Sequence, residues 1–318
     1  MIEFVRNYIL SWVSSFWSAW DRFWFEPREP HTLAVMRICC GAMLTYVHVI
    51  WAYLANDFMG QHAWLNRDAI LELHKDDYAW SWLWYVDSPS LLLAHQVVAI
   101  GASLCMTLGL FTRVSTVIAW WLTLMVCHRM TLALFGLDQI VVMLSTYLMV
   151  SNCGSVLSLD AKWFSRSENR FWFPAPRPSV NNSIATRLLQ LHLCVIYLFG
   201  GLSKMRGEMW YDGSAMWYTL VNYEYQSLDM VWLGEWRFAI GTLTAVTIFW
   251  ETFYCALVWP KLTRPIALAM AFFVHGGIAA ALGMVTFGSI MIVANFAFFE
   301  PKWLQSILAN GDELAKNK

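Results

Sequence analysis

Long apolar segments constrain this chain more than any other feature of its sequence. Crossing the roughly 30 Å hydrocarbon layer of a bilayer takes about 20 apolar residues in helical form. Segments of that kind lie near 33–54, 90–110, 114–131, 136–152, 184–205, 236–259, 264–282 and 283–299. The third and fourth run on as one stretch of almost forty residues, too long for one helix, and Gly136 marks a break. The last two are also continuous, with a break near Gly283. The expected fold is therefore all-α, a polytopic transmembrane helix bundle of about eight spans.

Composition agrees with this reading. Of 318 residues, 58% are hydrophobic and only 14% charged, against about 25% charged in soluble domains. Twenty tryptophans suit the two membrane–water interfaces, where aromatic side chains concentrate. The net charge of -1 points away from nucleic acid. No Gly/Ser-rich linker divides the chain, so residues 31–300 read as one membrane domain.

Residues 1–30 form a separate unit. Phe4, Tyr8, Trp12, Phe16, Trp20 and Trp24 recur every fourth residue and make one aromatic stripe on a helix. This predicts an amphipathic helix lying in the membrane interface, or a helix packed on the bundle; the spacing suits both. There is no clean apolar run with a small-residue cleavage site, so a secretory signal peptide is not expected. The seven cysteines fall in or at the ends of apolar segments and read as small buried side chains. No metal site is expected.

The positive-inside rule orients the spans. With a cytoplasmic N-terminus and eight spans, thirteen Lys and Arg lie in cytoplasmic pieces and five outside. Merging only one of the continuous pairs would put the termini on opposite sides and spoil the asymmetry. Both termini are thus expected in the cytoplasm, with residues 301–318 as a cytoplasmic tail, and the small size and sparse outer cysteines suggest a bacterial inner membrane.

Ionisable groups in a span are costly and usually face the bundle interior. Arg37, His48, His95, Arg129, Asp138, His192, Lys204, Glu251 and His275 qualify. Counting 1.5 Å per residue puts His95, Arg129, Asp138 and Lys204 together near the outer side, His275 near the midplane, and His192 and Glu251 in the inner half. Bland readings stand beside functional ones. Arg129 and Asp138 can neutralise each other, Lys204 can extend to the outer headgroups, and the histidines can be hydrogen-bonded core residues. Soluble-enzyme signatures such as HExxH, a P-loop or GxSxG do not occur.

The segment IATRLLQLHLCVIYLFGGLSKMRGEMWYDGSAM at 184–216 resembles the most characteristic stretch of the HTTM superfamily, the membrane domain shared with vitamin K-dependent γ-glutamyl carboxylases. The matching positions are Tyr197, Gly200, Gly201, Lys204, Trp210 and Gly213. Other pieces occur in the same order: Arg37, LGLFTR at 108–113, Arg129, Gly136–Leu137–Asp138, SLDAKWF at 158–164, Glu251 and His275. The likeness covers about residues 30–299.

The resemblance implies a chemistry. In the carboxylases the lysine matching Lys204 is the base that deprotonates reduced vitamin K; the quinol anion reacts with O₂ to give a strong alkoxide base, which removes a γ-proton from a peptide glutamate, and the carbanion takes up CO₂. By that resemblance the chain is expected to bind a lipid or reduced quinone in a pocket open to the outer face. Lys204, Asp138 and His275 would act on it, and Arg129, Tyr197, Trp210, Glu251 and His192 would line the site. An exported peptide or protein would be a second substrate. Two departures weigh against peptide carboxylation: Leu137 stands where the carboxylases carry a catalytic histidine, and little chain follows the last span. The alternative is a non-catalytic membrane factor that binds a lipid or quinone or assists maturation of an exported peptide. A transporter remains as a third class, although no internal repeat supports it.

Overall fold

The computed structural model describes residues 1–64, 66–301 and 304–306. Its helices are α1 (Ile2–Phe25), α2 (His31–Met59), α3 (Arg67–Leu73), α4 (Pro89–Leu108), α5 (Thr112–Arg129), α6 (Gly136–Val150), α7 (Leu159–Trp163), α8 (Val180–Lys204), α9 (Glu208–Tyr211), α10 (Ala215–Leu220), α11 (Arg237–Leu257), α12 (Arg264–Ala281) and α13 (Val285–Asn295). No strand occurs among the described residues. Most of the tail expected at 301–318, including Lys302, Lys316 and Lys318, lies outside them.

Each of the eight apolar segments holds a helix. Five helices (α2, α4, α8, α11 and α12) are long and apolar enough to cross a membrane, and α6 and α13 are shorter apolar helices. The chain is an all-α membrane bundle. The two long apolar stretches break where the sequence suggests. A short 3-10 turn at Thr131–Ala133 separates α5 from α6, which begins at Gly136. Gly283, at φ +66°, divides α12 from α13 in a left-handed conformation that costs a glycine little.

Successive long helices pack antiparallel. His48 meets Gln96 and Thr123 across α2, α4 and α5, Tyr147 of α6 meets His192 of α8, and Tyr197 of α8 meets Tyr254 of α11. This gives the bundle two ends. The loop end carries the connections 60–88 and 205–236, and the terminal end carries 26–30, 109–111, 151–179 and 258–263. Both long connections fold onto the helices. Ser81 Oγ donates to Met125 O at 2.7 Å and Trp84 Nε1 to His128 O at 3.0 Å. Leu220 and Leu233 pack with Ile240 of α11 and Ala281 of α12.

Water does not drive helices together inside a bilayer, so association depends on close packing and hydrogen bonds between helices. The structure uses both. At Gly201 a Cβ would fall on Thr252 Oγ1 and within 2.7 Å of the Thr252 backbone N, so only glycine lets α8 and α11 approach this closely. At the terminal end Arg37 is fully buried. Its guanidinium donates to Met106 O, Thr107 O and Leu157 O at 2.5, 3.0 and 2.6 Å, tying α2 to the end of α4 and to the turn before α7.

Residues 3–22 of α1 are exposed on every side. Only its last turn meets the bundle, where Phe23 and Trp259 rings lie 5.7 Å apart and Arg187 Nε donates to Phe23 O. The stripe is a ladder of rings, with Trp12–Phe16, Phe16–Trp20 and Trp20–Trp24 centroids 6.0, 6.2 and 5.9 Å apart.

Candidate functional site: a lysine–glutamate pair and two cavities

Lys204 is the last residue of α8, and its Nζ donates to Glu251 Oε2 at 2.6 Å. Helical side chains lean toward the N-terminus of their own helix. The lysine therefore folds back along α8 while Glu251 reaches toward the Arg237 end of α11, and the two meet. Gly200 leaves room for the meeting: a Cβ there would lie 3.9 Å from the ammonium and 3.6 Å from the carboxylate. The Trp210 ring of α9 stands 5.6 Å from Nζ, within range of a cation–π contact. Side-chain exposure is 30% for Lys204 and 11% for Glu251.

This pairing corrects the depth reckoning, which separated Lys204 at the outer end from Glu251 in the inner half. Glu251 lies about 21 Å along α11 from Arg237, and α8 ends beside it, well short of the Arg237 end of α11. The rest of α11 is covered by 205–235; Thr244 Oγ1, for instance, accepts from Met216 N at 3.2 Å. Lys204 thus does not extend toward the loop end.

Two turns further down α8 lies a chain of hydrogen bonds whose directions can be assigned. Tyr254 O–H donates to Asn295 Oδ1 at 2.6 Å. Asn295 Nδ2 donates to Tyr197 Oη at 2.8 Å and to Met291 O at 2.9 Å. The Tyr197 hydroxyl is then left to donate to His275 Nε2, 2.7 Å away. That places the imidazole proton on Nδ1, a buried atom with no partner among the described residues. Tyr197 and Lys204 are seven residues apart, on one face of α8.

Two sizeable cavities open among the described residues. The first, of about 640 Å³, lies at the loop end between α2, α6 and α13, walled by Tyr46, Trp51, Phe58, Leu137, Tyr225 and Phe287 among others. The second, of about 620 Å³, lies between α5, α6, α8 and α13 and reaches from His128 and Gln139 down to Tyr147 and His192. Asp138 and Phe287 line both. The Phe287 ring also stands edge-on to His275, centroids 6.1 Å apart. Lys204 lines neither cavity.

The structure therefore brings Lys204, Glu251 and Trp210 together, joins Tyr197 to His275, and sets Asp138 and His192 on cavity walls. It does not gather the residues that the depth reckoning grouped with Lys204. Asp138 Oδ2 accepts from Phe135 N at 2.8 Å at the start of its own helix, Arg129 donates to Met59 O at 3.3 Å, and His95 Nε2 meets Leu122 O at 3.2 Å. The ion pair between Arg129 and Asp138 that the sequence allows is not among those formed by the described residues. His48 bonds through both ring nitrogens, as a core histidine would. Asn295 and Tyr147 are invisible to a search of the sequence for charge. Asn295 is a lone amide in an apolar run, and that signal could have found it. No cluster of three His, Cys, Asp or Glu side chains suited to a metal occurs among the described residues.

No curated protein and no solved structure shows a significant match to this chain. The family model described as the HTTM domain matches residues 25–303. The match takes in α2 to α13 with both cavities and the lysine–glutamate pair, and the chain belongs to the HTTM family.

Proposed function

We propose that this HTTM-family membrane protein binds a lipid of the quinol class in the loop-end cavity and that the Lys204–Glu251 pair accepts a proton from it. On the charge asymmetry of the sequence, the loop end faces out of the cell, the termini are cytoplasmic, and the membrane is a bacterial inner one. The aromatic stripe of α1 then lies in the inner interface.

The observation that carries the proposal is the lysine turned back along α8 into a pair with Glu251. An ammonium that folds away from the loop end and pairs with a carboxylate at 2.6 Å is arranged for more than contact with headgroups. In its neutral form a lysine amine is a base that can take a proton from a quinol hydroxyl. From it, the face of α8 leads to Tyr197 and His275, and behind His275 stands Phe287, a wall of the cavity. The cavity volume lies in the range of small-molecule sites, about 300–1,000 Å³.

A second reading has its own support. Lys204 lines neither cavity, which suits a non-catalytic factor that holds a lipid or quinone or assists an exported peptide. One experiment separates the two. The protein is purified in native lipid and the bound lipids are identified by mass spectrometry, for wild type and Lys204→Ala, with turnover of the bound lipid followed in both. A quinone-class lipid in both, turned over only by wild type, supports the base. The same lipid with no turnover in either supports the binding factor. If no redox-active lipid is bound, the quinol reading fails.

A further inference from the structure

The second cavity has a chemistry of its own at its deep end. Tyr147 Oη and His192 Nδ1 are 2.8 Å apart, and neither side chain has another hydrogen-bond partner among the described residues. Whichever tautomer the imidazole adopts, one proton in the pair is spoken for and one remains. If the tyrosine donates to Nδ1, His192 keeps an Nε2–H; if Nδ1–H donates, the tyrosine keeps its O–H. Neither group is fully buried, so the spare donor has access to the groove.

The pair sits far from both ends of its helices. Tyr147 lies eleven residues into α6, about 17 Å from the loop end, and His192 lies twelve residues into α8, about 18 Å from the terminal end. In a hydrocarbon layer of about 30 Å both estimates converge on its middle. A donor at the middle of the hydrocarbon is far from bulk water, and a phospholipid keeps its ester and phosphate oxygens at the surface. The acceptor must be a polar group that travels inside the hydrocarbon. His128, Asp138 and Gln139 line the groove toward the loop end, and its sides are mostly apolar, with Leu124, Ile140, Val142, Met143, Ile196 and Met291 along them.

We propose that this groove is a second binding site, entered from the membrane, for a neutral ring lipid bearing a carbonyl: an oxidised quinone whose carbonyl oxygen accepts the spare proton of the Tyr147–His192 pair. It shares the ligand class of the function proposed above. It uses different residues from the lysine–glutamate pair, and Phe287 and Asp138 separate it from the loop-end cavity.

The test uses the full chain in nanodiscs of synthetic phosphatidylcholine with a decyl-substituted benzoquinone labelled with carbon-13 at its carbonyls. Binding is measured by titration and hydrogen bonding by the infrared carbonyl stretch. Wild type should show a carbonyl band shifted to lower frequency. His192→Phe should abolish the shift and weaken binding about tenfold, as loss of one buried hydrogen bond does. Val142→Trp, which fills the groove and leaves both residues of the pair in the sequence, should abolish the shifted band as well. Ile50→Trp, which fills the loop-end cavity, should leave it in place. A shifted band lost in Ile50→Trp but kept in His192→Phe and Val142→Trp would overturn this inference and leave the loop-end site standing. The absence of any shifted band in wild type, with only phospholipid acyl chain in the groove, would overturn it as well.

Discussion

Replacing Glu251 with glutamine tests how the lysine is held. The Lys204–Glu251 contact of 2.6 Å is worth about 6 kcal/mol gross at an effective dielectric of 20, most of it offset by desolvation of the two charges. Breaking a buried pair from one side costs about 3–5 kcal/mol, because the other charge is left without compensation. Lys204 keeps 30% of its side chain exposed, so the low end of that range, about 3 kcal/mol, is expected for Glu251→Gln. The double variant Lys204→Met/Glu251→Gln removes both charges and should recover most of the loss, to within about 1 kcal/mol of wild type. Reversible unfolding in mixed detergent micelles, read by circular dichroism, measures all four corners of the cycle. A cost below about 0.5 kcal/mol for Glu251→Gln, or a double variant no better than the single, would refute a buried pair. If the pair handles a proton, the double variant will be folded and stable yet inactive.

Packing and the loop-end connection yield three further expected outcomes. Gly201→Ala should destabilise by about 1–3 kcal/mol by overpacking, since its Cβ would meet the Thr252 backbone; the same unfolding assay checks it, and a neutral result would mean that α8 and α11 do not touch there. Arg37→Met removes a fully buried donor that serves Met106 O, Thr107 O and Leu157 O and should cost about 1–3 kcal/mol, measured as a loss of thermal stability and of folded yield. In the loop-end connection, the hydrogen bond with His74 at 2.6 Å holds the Asp77 carboxyl below its usual range. A lowered carboxyl pKa adds stability above the unfolded value of about 3.9 and loses it as pH falls through the folded value. The connection should therefore loosen only below about pH 4, seen as faster amide exchange around Trp84, which stacks on His74, and Asp77→Asn should flatten that dependence.

The helices were legible because a membrane span is written in composition: an apolar run of the right length has few other folds open to it. The breaks were legible too, since Gly136 and Gly283 sit where chain direction reverses. What composition does not write is which side chain meets which. Arg129 and Asp138 lie nine residues apart across a turn and invite pairing, yet the carboxylate accepts from Phe135 N instead, because the first turn of a helix has backbone donors to satisfy. Polar residues without charge were equally hidden. Asn295 bonds to both Tyr197 and Tyr254, and nothing in a search for ionisable groups would find it.

The depth of Lys204 shows most sharply where sequence reasoning ran out. A ruler of 1.5 Å per residue assumes that every helix ends at a membrane face and that a charge sits at its own Cα. Both assumptions fail for the Lys204–Glu251 pair. α8 ends beside Glu251, about two-thirds of the way along α11 from Arg237, because the chain at 205–235 takes over the remaining length and packs on α11 and α12. The lysine then leans back along its helix, so its charge lies beside Gly200 rather than beyond its own backbone. The small pair Gly200–Gly201 permits both: Gly201 lets α11 come close, and Gly200 leaves space for the ammonium and carboxylate to meet. The consequence is testable in one position. Gly200→Ala puts its methyl in ordinary contact with both charged groups and should be tolerated, whereas Gly200→Leu should push the lysine out of its pair and cost about as much as Glu251→Gln. If Gly200→Leu is as stable as wild type, the ammonium does not fold back along α8, and the base proposed in that pair loses its geometry.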